Sequence, residues 1–426
     1  MNEKTKSDTP EFAALIGLDW GDHQHAVALW EAGTQTIETQ DLIHAPEPVR
    51  DWLARLEARF QGRPVALALE TSKGPLVHLL MEIPWLTLYP VHPATSARMR
   101  QAFSPSGAKD DTPDARVLLD LLRHHRAKLR PLAMEDVAAR KLAGLTETRR
   151  RAVDHRTQLS NELRSALKGY FPVALELVGE QLHSPLALDF LRRWPTLTDL
   201  KATRPASIKA FYHRHNVRRP ETLEARLALI RQAQPLTTDE AVIFVRVRLI
   251  ARLIEELRVV QKHVEAYEAD IAAAFAAHPD AALFRELPGA GKVLAPRLLA
   301  AFGTDRTRFA SATELLCYSG IAPVKEKSGG SLWIHWRWNA PWFVRQAFVE
   351  WTGQSLLYCD WARAYYDQQK ARGKRHWACI RALAFKWLRI LWKCWTTNTP
   401  YNETIYLAAL AKKQSPLAAA LQAKKI

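Results

Sequence analysis

Two carboxylates in the first third of the chain stand where buried strands are predicted to end. Asp19 follows the apolar run Leu15–Leu18, and Glu70 follows the apolar run Pro64–Leu69. A carboxylate at the end of a buried strand is costly unless a cation or hydrogen-bond donors lie against it. Each is therefore a candidate metal ligand, although an acid just before Gly21 is also a common turn residue.

A second pair of acids opens a predicted helix. The segment KDDTPDA places Asp111 and Asp114 at a helix N-terminus, with Thr112 as the N-cap and a proline at the first helical position. The helix dipole favours ionised carboxylates there. If the strands that end in Asp19 and Glu70 are neighbours, four carboxylates converge on one spot. One or two hard divalent cations would relieve their repulsion.

The first domain, predicted over residues 12–130, must position these acids. The pattern of apolar residues predicts a hairpin at 15–30 and a third strand at 34–42, followed by helix–strand–helix–strand–helix. In that series the first helix is predicted at 46–60 and the two strands at 64–69 and 86–91. This is the element order of an RNase H-like α/β domain. In that layout the first strand is flanked by the fourth, which would bring Asp19 beside Glu70.

Residues 131–280 are predicted to form a helical, basic spacer. The segment Asp239–Phe275 contains neither Pro nor Gly, and its apolar residues recur every seven positions, at Ile243, Ile250, Leu257, Val264 and Ile271. This repeat predicts a coiled coil. Its partner is either a second copy of the chain or the Glu135–Gly169 helix folding back, and the sequence leaves both open.

The spacer also carries an arginine cluster. Arg149, Arg150 and Arg151 are consecutive in a predicted helix. Such a run is either a solvated face or a surface that holds a phosphate backbone.

Residues 281–400 are predicted to form a mainly α-helical C-terminal domain that begins with a glycine turn. Gly289, Gly291 and Lys292 precede an apolar helix, but the spacing and the residue after the lysine exclude a P-loop. A helix–hairpin–helix would offer backbone N–H groups to a phosphate. A plain tight turn between helices explains the glycines equally well.

A serine later in this domain has surroundings that suit nucleophilic attack. The segment APVKEKSGGS predicts a flexible basic loop in which Ser328 lies between Lys327 and two glycines, with Lys325 nearby. Attack on a phosphodiester needs backbone freedom and positive charge near the phosphate. Most serines in such loops are only solvated linker residues.

The segment WIHWRWNAPW follows this loop. Its tryptophans could stack on bases or belong to a core, and Arg337 and Arg345 are candidate nucleic-acid contacts. Residues 401–426 are predicted to form a basic tail.

The composition favours a polyanionic partner. Lys and Arg number 60 against 44 Asp and Glu, which gives a formal net charge of +16. Nucleic acid fits this excess better than an acidic membrane surface. The four cysteines, with no CxxC pair, argue against a zinc site or a disulfide framework and for a reducing cytoplasm. No signal peptide or membrane span is predicted.

Taken together, these motifs resemble those of the IS110 family of insertion-sequence transposases, the DEDD recombinases. The matching residues are Gly17, Asp19, Gly21, His25, Glu70, Lys109, Asp111, Asp114, Ala115, Pro288, Gly289, Gly291, Gly320, Pro323, Ser328 and Gly329. The resemblance covers roughly residues 14–125 and 280–350. Trp338-Asn339 stands where many relatives have a Gly-Asn pair. The sequence pattern around His335 is similar to that of a second branch of the family.

The resemblance implies a fold, a chemistry and partners. The N-terminal domain is expected to be RuvC-like, with Asp19, Glu70, Asp111 and Asp114 as ligands of Mg²⁺. Ser328 is expected to be the nucleophile of a recombinase that moves its own insertion sequence. Donor and target DNA, a structured bridge RNA and further copies of the chain, as a dimer or tetramer, are the implied partners. The alternatives are a metal-only RuvC-like junction nuclease and a non-catalytic nucleic-acid-binding protein.

Overall fold

A five-stranded mixed sheet forms the centre of the first part of the chain. The computed structural model describes the backbone of residues 12–103 and 111–423; the side chains of residues 103, 111–113, 420 and 422–423 fall outside that description. The strands are β1 (Ala14–Asp19), β2 (Gln24–Glu31), β3 (Ile37–Ile43), β4 (Val65–Leu69) and β5 (Leu86–Pro90). The helices are α1 (Pro46–Phe60), α2 (Pro75–Met81), α3 (Pro93–Phe103) and α4 (Asp111–His125), and a 3₁₀ turn follows at Arg126–Lys128.

The strand order places the first strand beside the fourth, as the sequence predicts. The order is β3-β2-β1-β4-β5, with β1–β2 and β2–β3 antiparallel and β1–β4 and β4–β5 parallel. Leu18 and Leu69 are direct partners in the parallel β1–β4 ladder. Asp19 directly follows Leu18 in the chain, and Glu70 directly follows Leu69. They therefore leave the sheet at the same edge, since parallel strands end on the same side.

Helices cover both faces of this sheet. On one face, Ile16 and Leu18 share a core with Trp52 of α1. On the other face, Leu15 shares a core with Leu119 of α4. Because side chains alternate along a strand, Asp19 lies on the α4 face with Leu15. The helix α4 already includes Thr112, so this residue lies inside the first turn and not at the predicted N-cap position.

The chain beyond residue 134 forms a second compact unit, made mostly of helices. Its first helices are α5 (Val137–Lys168), α6 (Val173–Val178), α7 (Pro185–Arg193), α8 (Leu197–Lys201), α9 (Pro205–Arg214), α10 (Pro220–Gln232) and α11 (Glu240–Ala276). The elements after them are α12 (Ala281–Arg285), α13 (Gly291–Phe302), α14 (Ala312–Tyr318), β6 (Val324–Ser328), β7 (Ser331–His335), α15 (Trp342–Ser355), α16 (Asp360–Ala371), α17 (His376–Thr396), α18 (Glu403–Lys412) and α19 (Pro416–Ala423).

The two long helices α5 and α11 pack against each other in opposite directions. Arg149 near the start of α5 pairs with Glu268 near the end of α11, and Glu162 near the end of α5 pairs with Arg252 near the start of α11. The seven-residue repeat of α11 is buried from Ile250 onward. Of the two partners that the sequence left open, the structure therefore has the α5 helix folding back within the same chain.

The ends of this helix pair belong to the C-terminal core. Ile271 of α11 and Leu142 of α5 lie in one apolar cluster with Phe302 of α13 and Trp387 of α17. The second unit thus continues without a break past residue 280, where the sequence predicted a domain boundary.

Two segments differ from their predicted form. Residues 403–423 are not a tail, because Leu410 of α18 and Leu417 of α19 are buried in the C-terminal core. The predicted flexible loop around Ser328 is a β-hairpin, because the strands on either side of the two glycines pair with each other. Among the described residues, no helix is both long and apolar enough to cross a membrane.

Candidate active site

The carboxyl ends of β1 and β4 bring two of the predicted acids to one edge of the sheet. Asp19 is the last residue of β1, and Glu70 directly follows β4. The Ser96 hydroxyl of α3 donates a hydrogen bond to Oε1 of Glu70. Asp19 is half-buried, and its side chain also has a partner in the structure.

The direction of α4 brings the N-terminal acids of that helix to the same edge. Arg126, just past the end of α4, lies over the ring of Phe12 at 4.9 Å, immediately before β1. Ala115, in the first turns of α4, approaches Gly17 near the end of β1. The helix therefore runs opposite to β1, and its N-terminus lies at the edge where β1 ends.

Asp114 of this N-terminus is ion-paired. Its Oδ1 lies 2.9 Å from Nε of Arg100, and both side chains are largely buried. Arg100 lies one turn after Ser96 on α3. One face of α3 therefore contacts two of the predicted acids, Glu70 through a hydroxyl and Asp114 through a guanidinium.

Asp111 is the first residue of α4, one turn before Ala115, and its side chain is outside the description. Among the described side chains, no group of three or more His, Cys, Asp and Glu residues is arranged to hold a metal ion. The donor chemistry still suits Mg²⁺, because the acids at this edge offer carboxylate oxygens. Ser96 and Arg100 each contact one oxygen of Glu70 and Asp114 and orient these carboxylates at the edge.

A buried histidine supports the turn after Asp19, a role that sequence reasoning did not assign. The Gly21 N–H donates to Nδ1 of His25 at 3.2 Å, and Nε2 of His25 lies 2.9 Å from Nδ1 of His44. Burial first, and then the neighbouring His44, lowers the pKa of His25 to about 4. His25 is thus a neutral ring that accepts from the turn and donates to His44. The only feature of the sequence that pointed to His25 was its place at the end of the GxDxGxxxH motif.

In the second unit, Ser328 ends the first strand of an exposed hairpin. Ser328 pairs with Ser331 across Gly329 and Gly330, and Gly329 has a φ of 55°. A Cβ on either glycine would meet nothing within 4 Å, so open space surrounds the tip. The serine hydroxyl is therefore accessible to a large substrate.

The same face of this hairpin carries an acid–base pair that the sequence did not reveal. Glu326 lies two residues before Ser328, and its Oε1 lies 2.9 Å from Nε2 of His335. The hydrogen bond to Glu326 raises the pKa of His335. Lys325 and Lys327 alternate to the opposite face and are exposed.

The two predicted arginine contacts near the hairpin have partners within the protein. Arg337 Nε donates to the carbonyl of Ala322 at 3.3 Å. Arg345 donates to the Arg337 carbonyl at 2.5 Å and lies over the Trp336 ring at 4.8 Å. Gly320 has a φ of 70°, and a Cβ there would come within 2.6 Å of the Ala340 Cβ, which explains the glycine of the GxxP motif.

Three of the four tryptophans in the segment WIHWRWNAPW are not core residues. Trp333, Trp338 and Trp342 have 62%, 74% and 58% of their surface exposed. Of the two roles considered for them, the described structure excludes burial.

The glycine turn before α13 is tightly packed on one side and open on the other. A Cβ at Gly289 would lie 2.9 Å from the Tyr358 ring and 3.0 Å from the Gln354 backbone, whereas Gly291 has nothing within 4 Å. Lys292 is exposed at the start of α13. Gly289 thus has a packing role, and Gly291 and Lys292 present the face that a phosphate could reach.

The three consecutive arginines of α5 differ in their partners and in their exposure. Arg149 pairs with Glu268, and Arg150 pairs with Asp154 and Glu350. Arg151 is exposed. Two of the three arginines therefore join helices to one another, and Arg151 faces outward.

Comparison with known proteins agrees with the motifs. The family model for the DEDD transposase of IS110, described as a transposase, matches residues 16–172. The model described as transposase IS116/IS110/IS902 family matches residues 281–367. Together the two matches cover more than half of the chain.

The chain is similar to insertion-sequence proteins over nearly its full length. It is 28% identical over 403 residues to the Streptomyces coelicolor mini-circle protein described as a transposase for IS117, covering 93% of this chain and 97% of that one. It is 27% identical over 406 residues to the uncharacterized 42 kDa protein of IS900 from Mycobacterium paratuberculosis, covering 92% and 98%. It is 27% identical over 407 residues to the uncharacterized 43.6 kDa protein of IS110 from Streptomyces coelicolor, covering 93% and 97%.

Two transposase family models that match in order along the chain, and insertion-sequence relatives over most of its length, define this protein as a transposase. The chain belongs to the IS110 family of transposases, and so is an enzyme that acts on DNA.

Proposed function

We propose that this transposase is a recombinase that cuts and rejoins DNA with a metal-bound acidic site and a serine nucleophile. The observation that carries the proposal is the arrangement of the acids. Asp19 and Glu70 end adjacent parallel strands, and the N-terminus of α4, which carries Asp111 and Asp114, lies at the same edge. The strand order supports an RNase H-like, RuvC-like domain.

The four acids would hold Mg²⁺, which would polarise a scissile phosphate and stabilise charge in the transition state. Arg100 holds Asp114 in place, and Ser96 holds Glu70. His25 keeps the turn after Asp19 fixed through the Gly21 N–H. These side chains position the acids without touching the substrate.

The serine supplies what the acidic edge lacks. The Ser328 hydroxyl gives up its proton as its oxygen attacks phosphorus in line, the P–O bond to the leaving deoxyribose oxygen breaks, that oxygen takes up a proton, and a phosphoserine link to DNA forms. A deoxyribose hydroxyl of a second DNA end then attacks the same phosphorus and releases the serine. Lys325 and Lys327 extend from the other face of the strand and would add positive charge around the hairpin tip.

The proposal also includes the partners. Strand exchange between DNA molecules requires several active sites, so we infer a dimer or a tetramer. The reaction would require both the acids of the first unit and Ser328 of the second. Guidance by a bridge RNA that pairs with donor and target DNA belongs to the proposal through the family resemblance alone.

Substitution of single residues separates this function from its nearest rival. Asp19→Ala, Glu70→Ala or Asp111→Ala should abolish recombination and leave nucleic-acid binding intact, because binding depends on the basic surface. Asp51→Ala, an exposed acid of α1, is the matched control and should recombine normally. Ser328→Ala should lose strand cleavage; if that variant still nicks DNA in Mg²⁺, the protein is a metal-only nuclease.

A further inference from the structure

A groove in the second unit has a lining that combines cations with aromatic rings. It encloses about 1390 Å³ between the β6–β7 hairpin and α17. This volume exceeds the range of about 300–1,000 Å³ that small-molecule sites occupy. Its occupant is therefore expected to be a polymer segment.

The charge of the lining is one-sided. Among the described residues that line the groove there are six basic side chains and no acidic one; the basic residues are Lys325, Lys374, Arg381, Lys386, Arg389 and Lys413. Burial and the neighbouring Arg389 lower the pKa of Lys386, and burial lowers the pKa of Arg381. Like charges held together in this way favour a bound polyanion.

The aromatic residues distinguish a single strand from a duplex. Arg381 lies over the ring of Trp336 at 4.5 Å, and Lys386 lies over the ring of Tyr365 at 4.8 Å. Phe385 and Tyr406 add further rings to the lining. Cations already lie over the rings of Trp336 and Tyr365, so unpaired bases would lie against the exposed ring edges and the planar guanidinium of Arg381, while the lysines contact the backbone. A duplex hides its base faces and would leave the apolar lining unused.

The position of the groove indicates that the strand is DNA. Lys325 and Ile334 are paired across the hairpin and both line the groove. Ser328 lies three residues beyond Lys325 on the same strand, or about 10 Å away at the usual rise per residue. The Ser328 side chain lies on the face of β6 opposite to Lys325, but at the tip, so a strand that leaves the groove and turns around the tip would reach it.

We propose that this groove binds an unpaired segment of the DNA substrate, with bases on the aromatic rings and phosphates on the surrounding lysines and arginines. The inference rests on the proposed function for the identity of the strand, and its binding step requires neither metal nor cleavage.

The test measures binding by the purified full-length chain in EDTA. Fluorescence anisotropy would compare a labelled single-stranded DNA of mixed sequence, the same DNA as a duplex, and RNA of the same sequence. Substitutions in the groove lining should weaken binding of the single-stranded DNA at least about fivefold and change binding of the duplex and of the RNA by less than about twofold, because those ligands also contact the rest of the basic surface. Equal losses for the single strand and the duplex would overturn the proposal, as would a larger loss for the RNA.

Two neighbouring cations of α17 provide a matched pair of variants. Arg389 lines the groove, whereas Lys393, one turn later, is exposed and lies outside the lining. Arg389→Ala should weaken binding of single-stranded DNA. It should also reduce the slope of the logarithm of the binding constant against the logarithm of the salt concentration by about one. Lys393→Ala should change neither. Equal effects of the two variants would contradict the groove as the binding site.

A cross-link locates the strand independently of any variant's folding. Single-stranded DNA carrying 5-iodouracil should cross-link on irradiation to peptides containing Trp336 or Tyr365, and Trp336→Leu should weaken binding about fivefold or more. Cross-links confined to the first unit would overturn the proposal. Because no step uses Mg²⁺ or Ser328, failure here leaves the recombinase chemistry standing, and failure of that chemistry leaves this binding result unaffected.

Discussion

Gly17 of β1 and Ala115 of α4 approach so closely that a Cβ on the glycine would lie 2.0 Å from the Ala115 carbonyl oxygen. The same Cβ would lie 2.5 Å from the backbone nitrogen of Leu119. Both contacts are with backbone atoms, so no side-chain movement can relieve them. This approach sets α4 against β1 and thereby brings the N-terminus of α4 to the edge that carries Asp19.

Gly17→Ala should displace α4 and lose catalysis. Overpacking of a tight contact costs about 1–3 kcal/mol or more, so the variant should also melt at a lower temperature. Gly33→Ala is the control, because a Cβ there meets nothing within 4 Å. Recombination and thermal unfolding measure both effects. Wild-type recombination by Gly17→Ala would show that the position of α4 does not matter.

The Arg100–Asp114 pair distinguishes a metal ligand from a structural acid. If Asp114 binds Mg²⁺, Asp114→Asn should abolish cleavage and weaken Mg²⁺ binding measured by calorimetry. Arg100→Ala should then reduce cleavage by about 10–100-fold, the usual effect of removing an outer-shell partner, and leave measurable activity. Equal losses of thermal stability in both single variants, with unchanged Mg²⁺ affinity, would assign Asp114 to the ion pair alone.

His25 should make the sheet of the first unit sensitive to acid. Its pKa is lowered to about 4 in the folded protein from 6.5, so the unfolded chain takes up a proton that the folded chain does not. The contribution of neutral His25 to the free energy of unfolding is fully present above pH 6.5. It is lost as the pH falls toward 4, at up to about 1.4 kcal/mol per pH unit. At pH 5 the loss is about 2 kcal/mol.

Hydrogen exchange in β1 and β2 measures this loss, once it is corrected for the intrinsic exchange rate at each pH. In His25→Asn the part of the pH dependence between 6.5 and 4 that comes from this ring should disappear. An unchanged slope in the variant would mean that His25 is not the group responsible.

The α5–α11 helix pair should contribute to the stability of the chain itself. Leu257 is fully buried and Val259, two residues later on α11, has 52% of its surface exposed. Leu257→Ala should lower the free energy of unfolding by about 2–5 kcal/mol, and Val259→Ala should change it by about 0.5 kcal/mol or less. Denaturant unfolding measures both. A Leu257→Ala variant of normal stability that loses only its oligomeric mass would indicate a seam between chains.

Much of the acidic edge could be predicted from the sequence because its signals are local. The apolar runs before Asp19 and Glu70 predict buried strands, and the order of elements predicts their adjacency. The register Leu18–Leu69 confirms that adjacency. The helical repeat of α11 likewise predicts burial of Leu257, although it could not name the partner helix.

The features that sequence reasoning missed depend on partners distant in the chain. Arg100 and Asp114 are joined by the packing of two helices, and Arg150 finds Glu350 two hundred residues away. The segment around Ser328 has the glycines and charges of a loop, and only pairing between its two arms shows a hairpin. The groove combines residues from α14 to just beyond α18, which no spacing in the sequence reveals.

The most direct test of the account is the identity of the residue that becomes joined to DNA. The reaction would be run with Mg²⁺ and substrate DNA, stopped with denaturant, digested with protease and nuclease, and examined by mass spectrometry. The account predicts a nucleotide adduct on Ser328, absent in Ser328→Ala and in Asp19→Ala and retained in Ser331→Ala. An adduct on Ser331, or no adduct from a preparation that demonstrably cuts DNA, would contradict it.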